Sequence, residues 1–120
     1  MQEIGIESSV LNEIIEGRKT IEGRLGKPKF LRLHEGERLS LREDIWKDGE
    51  ITQSFPGMAK IEIIQVLYFE SFAEMFESID CKQVIPTAKN VREALEVYRR
   101  FYATEDETEY GVVAFEFTLV

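Results

Sequence analysis

The stretch Gly17-Arg18-Lys19-Thr20-Ile21-Glu22-Gly23-Arg24-Leu25 decides how this chain is read. Just before it, Val10, Leu11, Ile14 and Ile15 recur at i, i+1, i+4 and i+5. That spacing is an apolar stripe on one face of a helix over Glu7 to Gly17, with Ser8 or Ser9 placed to cap it. Gly17 stands where a helix needs a left-handed residue to stop. Thr20 to Leu25 then alternates as a strand does, Ile21 and Gly23 to one side and Thr20, Glu22 and Arg24 to the other. A helix-to-strand junction therefore carries Lys19, Glu22 and Arg24 close together, with the Cα atoms of Glu22 and Arg24 about 6.5–7 Å apart on one strand face. Exposed pairs of this kind contribute roughly 0–1 kcal/mol, so spacing alone demands no function of them.

Gln2–Ile6 predicts a short strand, and Arg38–Arg42, with Leu39 and Leu41 alternating against polar neighbours, a half-buried one. Lys29–Leu33, after the Gly26-Lys27-Pro28 break, reads as a further short strand or an ordered loop. Asp48-Gly49 is a tight-turn dipeptide inside Trp46–Phe55, and Ala59–Phe69 is the strongest strand candidate. Phe72, Met75, Phe76 and Ile79 follow helical spacing, and Asn90 can cap a helix reaching Tyr102. The run Glu105, Asp106, Glu107 and Glu109 reads as a solvated loop, and Val112–Val120 as a closing strand with Val113, Phe115, Phe117 and Leu119 on one face. The sum is an α+β domain over residues 1–120, whose sheet is expected to curl into a small barrel of about five to six strands with two to three flanking helices.

Composition narrows function. The net charge is −8, from 15 basic and 23 acidic residues, the wrong sign for gripping nucleic acid with the whole surface. The distribution is uneven. Between Arg18 and His34, six basic residues (Arg18, Lys19, Arg24, Lys27, Lys29 and Arg32) face the single acid Glu22, leaving 9 basic and 22 acidic residues elsewhere. This basic island fits an anionic or nucleotide-like ligand. One cysteine, Cys81, and one histidine, His34, assemble neither a disulfide framework nor a zinc finger, and no metal or cofactor is expected. The most apolar window, Ile61–Phe69, is too short to span a bilayer. The first residues lack the basic start of a secretory signal, and a cytoplasmic protein without membrane contact is expected.

The pattern G-x-K-x-x-E-x-R, matched by Gly17, Lys19, Glu22 and Arg24, resembles the signature of the ASCH domain family. Its context is similar as well: the helix around Leu11-Asn12-Glu13-Ile14-Ile15 before it, Leu33-His34-Glu35-Gly36-Glu37-Arg38-Leu39 after it, and the Tyr110-Gly111-Val112-Val113-Ala114-Phe115 ending. The resemblance implies a barrel similar to the PUA domain and a cleft where Lys19, Glu22 and Arg24 bind RNA or a nucleotide-like small molecule. Lys27, Lys29 and Arg32 would extend that ligand-binding set. It also implies an alternative. One branch of the family removes the acetyl group of 4-acetylcytidine with a lysine, a threonine three residues later and a more distant glutamate, and another relative cuts RNA. Here Lys19 matches the lysine, Glu22 replaces the threonine, and the third position falls near Thr87. If the protein is an enzyme, Lys19 and Glu22 are the catalytic candidates.

Other constellations are weaker. Ser40, His34 and Asp44 lack a nucleophile elbow and make a poor triad. Cys81 reads as a buried structural thiol. Tyr98, Phe101 and Tyr102 read mainly as core, Trp46 as a barrel cap or a stacking surface, and Arg99-Arg100 as solvated surface able to extend a phosphate-binding strip.

Overall fold

A computed structural model describes residues 1–120. Strand β1 (Gln2–Glu7) leads into helix α1 (Ser8–Ile15), strand β2 (Ile21–Leu25), a one-turn helix α2 (Pro28–Leu31), and strands β3 (Arg38–Lys47) and β4 (Glu50–Phe69). Helices α3 (Phe72–Ser78), α4 (Cys81–Val84), α5 (Val91–Arg99) and α6 (Thr104–Tyr110) follow, and strand β5 (Val112–Leu119) closes the chain. The α+β class and the count of five strands are as the sequence predicts.

Several local expectations need correction. Lys29–Leu33 is not a strand: Pro28 at the first helical position, with its pre-set φ, starts the turn α2 instead. The acidic run is helix α6, because Glu105, Asp106 and Glu107 fill its first turn, where the helix dipole favours negative charge. Six helical segments form rather than two or three. The Asp48-Gly49 turn is present, but the ribbon on either side of it is longer than alternation suggests, since β3 runs on to Lys47 and β4 begins at Glu50.

The strands form one sheet in the order β1-β3-β4-β5-β2, with β1 parallel to β3 and the other pairs antiparallel. No ladder joins β1 to β2, so the expected closed barrel is not made by backbone pairing. A side chain spans those two edges instead: Arg24 Nη2 on β2 donates to the Gly5 carbonyl on β1 at 2.9 Å.

Strand β5 divides two cores. Val112 and Ala114 pack with Ile21, Leu25 and the apolar faces of α3, α4 and α5, including Phe72, Met75 and Tyr98. Phe115 and Phe117 pack on the opposite face with Ile4, Ile6, Leu11, Ile14, Leu39, Leu41, Ile61 and Ile63. The period-two alternation of one strand thus serves both layers. Cys81 is buried, and Tyr98 stacks on Phe72 with ring centroids 3.9 Å apart. Glu107 is also buried; its carboxylate accepts from the Phe72 amide and from Arg99 Nη1, both at 2.8 Å, which fastens α6 to α3 and α5. Arg99 is exposed, as the sequence suggests, and also anchors α6 through this carboxylate.

Candidate functional site

The decisive side chains are positioned by the way α1 ends. Gly17 takes φ +80°, and the Arg18 and Lys19 amides fold back onto the Glu13 carbonyl, each at 3.0 Å. This reversal turns Lys19 inward beneath the helix, where it is 3% exposed. Its ammonium meets three acceptors: Glu22 Oε1 at 3.1 Å, the Ile21 carbonyl at 2.9 Å, and the carbonyl of Val84, the last residue of α4. An ammonium has three N–H donors, so all three are engaged.

Two residues along the strand, Arg24 places Nε and Nη2 on Glu22 Oε2 at 3.3 and 3.1 Å. One carboxylate, 8% exposed, is thus shared by two cations. Burial alone would push the Glu22 carboxyl up, but the charges of Lys19 and Arg24 together outweigh it and hold the group below the usual carboxylate range. Lys19 is drawn below the ordinary lysine value by burial, with Glu22 opposing that drop and Arg24 adding slightly to it. Glu22 is therefore a fixed anion at neutral pH. Burial, reinforced by the negative charge of Glu22, raises Tyr98 well above the ordinary tyrosine value, so its hydroxyl stays neutral.

These groups line a cleft of about 470 Å³, within the roughly 300–1,000 Å³ typical of small-molecule sites. Its walls come from β1, α1, β2, β3, the segment after α4 and the end of α5. Lys19, Glu22 and Arg24 are brought together there; strand alternation places Glu22 and Arg24 on one face, and the turn at Gly17 adds Lys19. Lys27, Lys29 and Arg32 are not. All three are exposed on or beside α2 and are not part of the cleft lining, with Lys27 over the Tyr110 ring and Lys29 over Phe30. Thr87 and Arg100 do line the cleft, and so does Trp46, which is 46% exposed.

Two contributors have no local signal in the sequence. Asp44, considered there only as part of a poor triad, lines the cleft and is gripped by Arg42 through Nε to Oδ1 at 2.7 Å and Nη2 to Oδ2 at 2.9 Å. Ser54 Oγ adds a third bond to Oδ1 at 2.8 Å. The Arg42 fork is the main cause holding the Asp44 carboxyl below its ordinary value. Gly5, paired with Arg42 in the β1–β3 register, passes so close that a Cβ there would lie 2.2 Å from Asp44 Oδ2. Only glycine lets β1 lie over that carboxylate and still offer its carbonyl to Arg24.

Comparisons with known proteins agree on the class. The family model described as "ASCH domain" matches residues 4–120. The chain belongs to the ASCH domain family. A crystal structure of the hypothetical protein PH0355 is similar at 31% identity and TM-score 0.80, covering 99% of this chain and 98% of that one. The solution structure of protein PF0455 from Pyrococcus furiosus is similar at 33% identity and TM-score 0.75, covering 99% and 96%. Protein EF3133 from Enterococcus faecalis shares the fold at 18% identity and TM-score 0.57, covering 93% of this chain and 67% of its own. No curated protein matches. No helix is long and apolar enough to cross a membrane.

Proposed function

We propose that this chain binds RNA or a nucleotide-like molecule in the cleft, and that it acts by recognition. The observation that carries this reading is the triplet itself: one buried carboxylate kept ionised between Lys19 and Arg24, on the wall of a cleft roomy enough for a base and sugar. Trp46 and Phe101 are exposed members of the lining and offer ring faces to a planar ligand; stacking of this kind is worth about 1–3 kcal/mol per base. Lys27, Lys29 and Arg32 lie outside the cleft on an otherwise acidic protein. There they serve as phosphate contacts for the rest of a strand, fixing position while the cleft reads the base.

A hydrolytic role for Lys19 is less well supported. A lysine that attacks a carbonyl or removes a proton needs a free lone pair. Burial moves Lys19 in that direction, yet its three N–H groups are directed at three acceptors and Glu22 holds the charged form. Pure protein incubated with 4-acetylcytidine is accordingly expected to release no cytidine.

The test is fluorescence anisotropy with a short labelled single-stranded RNA at several salt concentrations. Affinity should fall steeply with salt, because phosphate contacts release counterions. Trp46→Ala combined with Arg100→Ala, both at exposed positions, should weaken binding at least tenfold without lowering the melting temperature. Absent binding at low salt, or binding indifferent to this double change, contradicts the reading.

A further inference from the structure

The lone pairs left over on the two cleft carboxylates are unequal in a way that specifies a ligand. A carboxylate oxygen offers two acceptor sites. On Glu22, Oε2 takes both Arg24 donors and is filled, whereas Oε1 takes only Lys19 Nζ. On Asp44, Oδ1 takes Arg42 Nε and Ser54 Oγ and is filled, whereas Oδ2 takes only Arg42 Nη2. Each anion therefore keeps one unfilled acceptor site. On Asp44 that site is covered, because a Cβ on residue 5 would lie 2.2 Å from Oδ2 and the β1 backbone packs over it; Glu22 Oε1, on the cleft lining, carries the site a ligand can use. Lys19, by contrast, has no donor to spare.

We infer that the cleft selects bases carrying an exocyclic amine over their carbonyl counterparts: cytosine over uracil, and adenine over hypoxanthine. An amine donates to an open carboxylate site, a charge-assisted bond. A carbonyl oxygen in the same place would set two acceptors against each other and leave the buried anion's last site unpaired. This rests on the RNA-binding reading and narrows it to the chemistry of the base edge.

The test compares short RNA homopolymers of equal length, oligo(C) against oligo(U) and oligo(A) against oligo(I), at matched salt. The phosphate contribution is then common to both members of a pair. The amine-bearing member should bind about ten- to a hundredfold tighter, by a ratio that changes little with salt. Glu22→Gln places an amide donor or a neutral oxygen at the open site and should shrink that ratio at least threefold; should this variant fail to fold, the wild-type ratio decides alone. Equal affinities, or a preference for the carbonyl member, overturn the inference while leaving RNA binding intact. Binding to none of the four overturns both.

Discussion

Arg24 and Gly5 are joined by a bond of 2.9 Å from guanidinium to backbone carbonyl, across the one place in the sheet where two edge strands meet without a ladder. The same Nη2 atom also holds Glu22, so the seam of the fold and the wall of the cleft share one side chain. Stability and binding should be coupled there.

Arg24→Lys tests that coupling. A lysine is a point donor without the planar fork and cannot hold Glu22 and Gly5 in the same geometry. We expect a loss of about 1–3 kcal/mol in urea denaturation, together with increased hydrogen exchange along β1 and β2. Unchanged stability would show that the seam is held by packing alone.

Glu22→Gln leaves Lys19 and Arg24 without their shared anion. Breaking a buried ion pair by removing one partner typically costs about 3–5 kcal/mol. Lys19→Met added to Glu22→Gln should restore part of the loss, because the stranded ammonium is then gone; a double-mutant cycle reads the coupling. Strictly additive effects would argue against a shared charge network.

Acid should destabilise the fold through Glu22 and Asp44. Both carboxyls are held below their ordinary values. The folded state therefore binds fewer protons than the unfolded one as pH falls through the carboxylate range. The stabilisation they provide is fully present above about pH 5 and is lost as pH drops through the lowered folded-state values. Unfolding free energy measured from pH 7 to pH 3 should be flat and then fall, with a shallower fall in Asp44→Asn. A slope identical in the variant would remove Asp44 from this account.

Glu107→Ala should free α6. It leaves the Phe72 amide and Arg99 without their acceptor, at an expected cost of about 2–3 kcal/mol. Exchange of the Phe72 amide proton should accelerate sharply while RNA affinity stays within twofold, since Glu107 lies outside the cleft lining.

Legibility in the sequence followed the range of the interactions. Helix α1 and its glycine stop, the Asn90 cap and the alternation of β5 are governed by neighbours a few residues apart, and each was readable. Asn90 Oδ1 does accept from the Glu93 amide at 3.0 Å. Helix α6 was hidden because the acid that seats it, Glu107, looks solvated until Arg99 and the Phe72 amide are known to face it. The open sheet was hidden because edge status depends on where β1 and β2 land, which no local pattern encodes. In the site, alternation revealed that Glu22 and Arg24 share a face and the turn at Gly17 brought in Lys19. Gly5 and Asp44 enter through the parallel β1–β3 register, a pairing some 37 residues apart in sequence, and left no local trace. The basic island is real in sequence but divides in space, Lys19 and Arg24 inward and Lys27, Lys29 and Arg32 outward.

The central claim is that a nucleic-acid base enters the cleft walled by Lys19, Glu22 and Arg24. Backbone amide shifts of isotopically labelled protein, followed by NMR while a short single-stranded RNA is titrated in, address it most directly. The account predicts the largest shifts at Gly5, Gly23 and Thr87, with smaller ones along α2. Shifts confined to α2 and the outer face of the sheet, with those three amides unmoved, would contradict it.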